Sequence, residues 1–286
     1  MSGNADLRHR LESILGARIT SLSPMSGGCV GEVYRVALSD GRVFVTKVDR
    51  TTSPVLAREG WMLRYLADRT RLPVPEVVYN DAGLLVMTFL PGSSRFDDHS
   101  ETHAADLLAD LHTVTASAYG LEVDTLIGGL HQPNPWTGSW VEFFRDQRLR
   151  YMARVAHDAG QLPLNLLHKV ERLAEKLDRW LEEPPHPSLI HGDVWSGNVL
   201  AEGGRITGFL DPAIYYADSE MELAFITLFH TFGNTFFRRY NEIHSIRPGF
   251  WEIRRDLYNL YPLLVHVRLF GGGYVSSVQR ILDRFL

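Results

Sequence analysis

The stretch "HGDVWSGNVLAEGGRITGFLD", residues 191–211, places polar side chains between apolar ones and contains a β-hairpin pattern. Its turn is Gly203-Gly204, a dipeptide typical of two-residue hairpin loops. Asn198 and Asp211 lie about equally far from that turn, so antiparallel pairing brings them to the open end of one ribbon. An amide oxygen beside a carboxylate suits Mg²⁺, which takes one or two protein oxygens and completes its shell with phosphate and water. We therefore predict that Asn198 and Asp211 bind Mg²⁺.

Asp193 stands five residues before Asn198, near the same predicted metal. The spacing Asp193-x-x-x-x-Asn198, followed by Asp211, matches the catalytic loop and metal-binding acid of protein-kinase-type phosphotransferases. In those enzymes the first Asp accepts the proton of the attacking hydroxyl, so Asp193 is the candidate catalytic base. The alternative is a surface turn in which Asp193 caps a helix.

The order of extended and helical patterns predicts an α+β, bilobal, protein-kinase-like fold. Three extended segments, residues 18–25, 31–38 and 42–48, precede a helix at about residues 53–67 and two further strands that end at Pro91-Gly92. This indicates a small antiparallel β lobe with one main helix, residues 1–91. The helical periods of residues 92–286 predict a larger, mostly α lobe, in which residues 198–211 form the only hairpin. The segment "LFGGGY" is typical of a tight turn between two helices. A cleft between two lobes is a usual place for a ligand.

Lys47 and Glu59 are the candidate charged pair of the β lobe. Glu59 lies on the helix face that carries Met62, Leu63 and Leu66, at steps of three, four and seven residues, so it faces inward and needs a cation. Lys47 lies at the end of the preceding strand, at a depth in the lobe where its side chain can meet Glu59. We predict that the pair holds the Lys47 ammonium against the α- and β-phosphates of ATP. The alternative is a solvated Glu at a helix start.

Two further segments are candidates for nucleotide contacts. The bend "SGGCVGEVY" contains Gly27 and Gly28, whose missing side chains let backbone N–H groups approach phosphate oxygens. Met87, Thr88 and Leu90 lead into the lobe boundary, where their backbone is placed to pair with an adenine edge. The alternatives are a simple turn and a plain edge strand.

Composition excludes several classes of partner. The 286 residues carry 29 Lys and Arg against 34 Asp and Glu, a net charge of −5, so we expect neither nucleic-acid nor membrane binding. No disulfide within the chain is possible because Cys29 is the only cysteine, and the N-terminal residues lack the apolar core of a signal peptide. We expect a cytoplasmic protein that is a monomer or a weak homodimer. Cys29 itself is either a redox-sensitive thiol in the phosphate loop or a small turn residue.

Other catalytic motifs are missing from the sequence. It contains no G-x-x-x-x-G-K-[ST] phosphate loop and no H-E-x-x-H zinc motif, and Ser196 lacks the flanking residues of a nucleophile elbow. P-loop NTPases, zincins and α/β-hydrolases are therefore excluded.

Five segments carry a family resemblance: "HGDVWSGN", "LDPAIYY", "SGGCVGEVYRV", "QPNPWTGSWVEFFRDQRL" and "LFGGGY". Over nearly its whole length the sequence resembles the fructosamine (ketosamine) kinases, a branch of the aminoglycoside-phosphotransferase-like kinases with the protein-kinase fold. The resemblance implies transfer of the γ-phosphoryl of ATP to a sugar hydroxyl of a ketosamine, typically the 3-hydroxyl of a fructosamine. The unstable product then releases the amine, so the reaction reverses glycation of a free or protein-bound amine. It also implies that Asp193 is the base and that Trp195 forms part of the sugar site.

The acceptor is less well defined by the sequence. Trp136 and Gln132 are candidate acceptor contacts, and core packing is the alternative for both. Where the family tends to have an Asp before Leu-Ala, this chain has Glu222, which either braces the catalytic loop or completes a Ser219-x-x-Glu222 capping box; we favour the capping box.

Two other functions remain open: a kinase of another small alcohol, of aminoglycoside, choline or homoserine type, and a nucleotide-binding module without catalysis.

Overall fold

The N-terminal lobe is a five-stranded antiparallel sheet with one helix on each face. The computed structural model describes residues 2–25 and 31–286. The strands run in the order β1-β2-β3-β5-β4. Their bounds are β1 Ile19–Met25, β2 Glu32–Leu38, β3 Val43–Val48, β4 Val77–Asn80 and β5 Leu84–Thr88; the helices are α1 Ser2–Leu15 and α2 Leu56–Arg69.

Alternation along β5 shows why both faces of the sheet are covered. Leu84 and Val86 pack in the cluster that includes the apolar side chains of α1, whereas Leu85 and Met87 pack against α2. Side chains of a strand point alternately to opposite faces, so the four consecutive apolar residues 84–87 need a helix on each side of the sheet. The sequence analysis placed α2 within three residues of its observed bounds but missed α1.

The C-terminal lobe is mostly helical. Its helices are α3 Asp98–Leu111, α4 Trp140–Phe143, α5 Tyr151–Asp158, α6 Leu164–Ala174, α7 Ser219–Leu228, α8 Asn234–Ile243, α9 Arg255–Phe270 and α10 Gly273–Phe285, with π-helical segments at Phe144–Arg150 and Phe250–Arg254. The predicted helix–helix turn lies between α9 and α10. None of the helices in the described ranges combines the length and the apolar character needed to cross a membrane.

Three pairs of short strands interrupt these helices. The pairs are β6 Thr125–Ile127 with β7 Leu130–Gln132, β8 Ser188–Ile190 with β11 Tyr215–Ala217, and β9 Val199–Glu202 with β10 Arg205–Phe209. The prediction of a single hairpin was therefore wrong, because β6 and β7 form a second one around Gly128-Gly129. Strands of three residues are too short to show a period of two.

The segment between the lobes is fastened to the predicted hairpin. Ser93 lies between β5 and the start of α3. It exchanges two backbone hydrogen bonds, of 3.0 and 2.9 Å, with Ala201 of β9. We propose residues 1–91 and 92–286 as the two domains, since the N-terminal sheet ends at Thr88. A cleft of about 460 Å³ lies between them and is lined by residues of both.

Candidate active site

The β9–β10 hairpin positions two polar residues at the mouth of the cleft. Val199 pairs with Phe209, and the Leu210 N–H donates to the Asn198 carbonyl at 2.8 Å. Asn198 and Asp211 thus flank the open end of the ribbon, as its turn predicts, and both line the cleft. Asp211 has φ +52°, a left-handed conformation uncommon for a residue other than glycine.

The loop before this hairpin requires a glycine next to Asp193. Gly192 has φ +84°, and a Cβ there would lie 2.2 Å from the Ala213 carbonyl oxygen. The Ala213 N–H in turn donates to the His191 carbonyl at 2.8 Å. This close approach of two backbones fixes the direction in which the chain enters Asp193.

Asn198 holds Asp193 through its amide nitrogen. Nδ2 donates to the Asp193 carboxylate oxygen Oδ2 at 2.9 Å and to its carbonyl at 3.1 Å. The Asn198 amide oxygen has no protein partner within residues 2–25 and 31–286. The Asn198 side chain therefore orients the candidate base Asp193 through its amide nitrogen. Its amide oxygen is left available to bind another ligand.

The environment of Asp193 favours its protonated form. Burial, followed by the nearby charges of Asp211 and Glu222, raises the pKa of Asp193 to about 8, against the opposing effect of the Asn198 hydrogen bond. A carboxyl group of raised pKa is a stronger base than an ordinary Asp. Asp193 can take a proton from a hydroxyl in the cleft only in its ionised form, and positive charge bound beside Asp211 would favour that form.

Lys47 connects the two lobes electrostatically. Its side chain is 6% exposed and lies 2.7 Å from Glu59 of α2, and it also forms an ion pair with Asp211. Burial lowers the pKa of Lys47, but the two carboxylates outweigh it and leave that pKa above its ordinary value. Burial also raises the pKa of Glu59, which Lys47 opposes. Glu59 faces inward, as the helical spacing predicted.

Within the described residues, the segment that joins the lobes contains a backbone N–H donor without a partner. Met87, Thr88 and Leu90 all line it. The Thr88 N–H donates to the Glu76 carbonyl at 3.0 Å, whereas the Leu90 N–H has no partner in the described part of the chain. This group is available to a ligand edge. Gly27, Gly28 and Cys29, the other predicted contacts of the β lobe, lie outside the described residues.

Comparisons with known proteins identify the family. The sequence model of the fructosamine kinases, described as "Fructosamine kinase", matches residues 5–286. The chain belongs to the fructosamine kinase family. It is therefore a phosphotransferase.

Several relatives are similar over almost the whole chain. A probable ketoamine kinase of Synechocystis sp. is 34% identical over 94% of this chain and 91% of its own length. A chloroplastic protein-ribulosamine 3-kinase of Oryza sativa is 33% identical over 94% of this chain and 80% of its own. The crystal structure of a candidate fructosamine-3-kinase from Thermobifida fusca has a TM-score of 0.86 and 28% identity, covering 97% of this chain and 98% of the other. Aminoglycoside phosphotransferase APH(4)-Ia, at 18% identity and a TM-score of 0.67, shares the fold.

Of the three acceptor contacts that the sequence predicts, only Trp195 lines the cleft. Its side chain is 39% exposed, beside Asp193. Trp136 is 49% exposed but packs on Tyr216, with ring centroids 6.1 Å apart, and is not among the cleft-lining residues. The structure thus places Trp136 on a surface outside the cleft.

Gln132 requires a correction. It is 0% exposed, and its amide nitrogen donates to the Thr125 hydroxyl at 2.8 Å and to the Ala213 carbonyl at 3.1 Å. Its amide oxygen accepts from the Tyr261 hydroxyl at 2.6 Å. A side chain with both polar ends bonded inside the protein cannot contact an acceptor, so Gln132 instead supports the backbone that follows Asp211.

Glu222 was assigned wrongly to a capping box. The N-cap of α7 is Asp218, whose side chain accepts from the Glu220 N–H at 3.1 Å. Glu222 instead accepts from the Gly192 N–H at 2.7 Å and from the His191 N–H at 3.2 Å. It braces the catalytic loop, the alternative that the sequence analysis had ranked second.

Proposed function

We propose that this member of the fructosamine kinase family transfers the γ-phosphoryl group of ATP to a sugar hydroxyl of a ketosamine, on a free or protein-bound amine. The observation that carries the proposal is the convergence of Lys47, Asp193, Asn198 and Asp211 on one interlobe cleft. Phosphoryl transfer needs a positioned hydroxyl, a base and neutralisation of phosphate charge, and these four side chains have the matching chemistry.

The residues present fit a Mg²⁺ ion. The free amide oxygen of Asn198 and the carboxylate of Asp211 are hard ligands at one ribbon end, and Mg²⁺ keeps most of its shell for water and phosphate. Among the described residues there is no cluster of three or more His, Cys, Asp or Glu that could hold a metal ion by itself. We propose that Asn198 and Asp211 hold the ion, which would offset phosphate charge when bound.

The other groups have distinct parts in the proposal. Glu59 holds the Lys47 ammonium at 2.7 Å, at a depth suited to the inner phosphates. The free Leu90 N–H suits an adenine edge, and Gly27 and Gly28 remain predicted phosphate contacts. Asp193 orients the acceptor hydroxyl and takes its proton as the bond to phosphorus forms, while Trp195 supplies an aromatic face for the sugar.

An acceptor panel tests the proposal. ATP consumption by the purified protein is measured with fructoselysine, ribuloselysine, kanamycin, choline and homoserine, each with Mg²⁺. We expect turnover with one or both ketosamines that is abolished in Asp193→Asn. Turnover confined to kanamycin, choline or homoserine would assign another alcohol kinase, and nucleotide binding without any turnover would assign a binding module.

The setting of the reaction belongs to the same proposal. A cytoplasmic location is supported by a chain with a single cysteine. A monomer or weak homodimer is the proposed state, and size-exclusion chromatography with light scattering measures it directly.

A further inference from the structure

A buried chain of hydrogen bonds runs behind the catalytic loop and away from the cleft. Its first member is Glu222, 1% exposed, whose two carboxylate oxygens accept the N–H groups of His191 and Gly192. Both amides immediately precede Asp193. The position of the candidate base therefore depends on how the Glu222 carboxylate is held.

His112 is the second member. It is 0% exposed at the C-terminal end of α3, and its Nε2 lies 3.0 Å from the same Glu222 oxygen that accepts the His191 N–H. Tyr240 of α8 completes the chain, with its hydroxyl 2.6 Å from His112 Nδ1. Helices α3, α7 and α8 thus each contribute one side chain.

The chemistry of these groups gives the direction of the bond to Glu222. An ionised carboxylate only accepts, so His112 Nε2 must donate to Glu222. Nδ1 of the same ring meets the Tyr240 hydroxyl, and this second hydrogen bond fixes the orientation of the imidazole. Glu222 stays ionised, because its contacts with His112 and the Gly192 N–H outweigh the effect of burial and leave its pKa below the ordinary value.

We propose that His112 and Tyr240 are positioning residues for phosphoryl transfer. They fix the orientation of the Glu222 carboxylate, which in turn holds the His191 and Gly192 amides in place. The position of these amides determines the orientation of the Asp193 side chain. Neither residue lines the cleft or reaches the reacting atoms. The proposal rests on the proposed function, because its main readout is turnover.

Two near-isosteric substitutions separate the bonds of His112. His112→Gln keeps an N–H donor near the Nε2 position and loses the Tyr240 contact, whereas His112→Asn keeps a polar group near Nδ1 and loses the donor to Glu222. We expect kcat to fall about tenfold or more in His112→Asn and by only a few-fold in His112→Gln, with KM for ATP unchanged in both. Tyr240→Phe removes the hydroxyl alone and should lower kcat by a few-fold.

The control lies on helix α5. The Nδ1 of His157 is 2.8 Å from the Leu162 carbonyl oxygen, and within the described residues this side chain has no hydrogen bond to the catalytic loop or to the β9–β10 hairpin. His157→Asn should therefore leave kcat within about twofold of the wild-type value. Equal kcat in His112→Asn and His112→Gln, or an equal fall in His157→Asn, would overturn the proposal.

Hydrogen–deuterium exchange gives a readout that does not need turnover. A peptide spanning residues 189–198 should exchange faster in His112→Asn than in His112→Gln or the wild type, since the two loop amides lose a fixed acceptor. If the wild type turns over no ketosamine, the proposed function fails while this comparison still tests the positioning role. If His112→Asn does not fold, Tyr240→Phe carries both measurements, and unchanged kcat and exchange there would refute the inference.

Discussion

Gly192 offers a direct test of how the loop geometry controls Asp193. A Cβ at this position would lie 2.2 Å from the Ala213 carbonyl oxygen and 2.9 Å from its carbon. Both are backbone atoms, so no side-chain rotation relieves the contact. In Gly192→Ala the two backbones must separate by roughly 1 Å to reach ordinary van der Waals distance.

Gly41 is a matched control. Its φ of +88° is close to the +84° of Gly192, but a Cβ there would meet nothing within 4 Å. Gly41→Ala therefore measures the cost of the left-handed conformation alone, about 1 kcal/mol. Gly192→Ala adds the weakened Ala213-to-His191 hydrogen bond, about 1 kcal/mol more. Its larger effect should be on turnover, since a displacement of about 1 Å near reacting groups costs on the order of 10²-fold.

Turnover with the ketosamine accepted in the panel and urea unfolding measure the two effects. We expect Gly41→Ala to keep kcat within about twofold and Gly192→Ala to lose on the order of 10²-fold, with the two unfolding free energies within about 2 kcal/mol of each other. A Gly192→Ala enzyme as active as Gly41→Ala would show that the Ala213 contact does not position the base.

Three further substitutions test the site. Asp193→Asn should lower kcat by about 10² to 10⁴-fold while the Kd for ATP, from titration calorimetry, changes little; unchanged kcat would remove Asp193 as the base. Lys47→Met leaves Glu59 and Asp211 without their shared cation and should lower the urea-derived stability by about 3 to 5 kcal/mol, whereas an unchanged stability would contradict the buried ion pair. Gln132→Ala should cost about 2 to 3 kcal/mol of stability with the acceptor KM unchanged, and a raised KM at unchanged stability would restore an acceptor contact.

Features set by local chain geometry could be predicted from the sequence. The Gly203-Gly204 turn predicts the open end of the ribbon to within one residue: the pairing shifts by one residue between Ile206 and Gly208, and Asn198 and Asp211 still flank that end. The helical period likewise turns Glu59 inward, where it lies 2.7 Å from Lys47. In both cases the deciding interaction lies within about fifteen residues of the side chain concerned.

Features decided by distant partners could not be predicted in the same way. Ser219-x-x-Glu222 is a valid local capping pattern, but Glu222 bonds to the Gly192 amide, 30 residues away in sequence. Gln132 has a polar side chain in an aromatic segment, which suggests a ligand contact. Its amide oxygen is instead bonded by Tyr261, 129 residues away. Whether a polar side chain ends in a cleft or in the core depends on such tertiary partners, which periodicity does not reveal.

The charges around the cleft support the proposed divalent ion as a partner of Lys47. Three carboxyl groups, those of Glu59, Asp193 and Asp211, line the cleft together with one ammonium, and residues 26–30 add no charged side chain. Lys47 already has two carboxylate partners, so a triphosphate would enter a site without a surplus of positive charge. In a partly buried site that repulsion is screened less than in bulk water. A divalent cation at the Asn198 amide oxygen and Asp211 would cancel the negative charge of these carboxyl groups, and would release Lys47 from Asp211 to meet the phosphates.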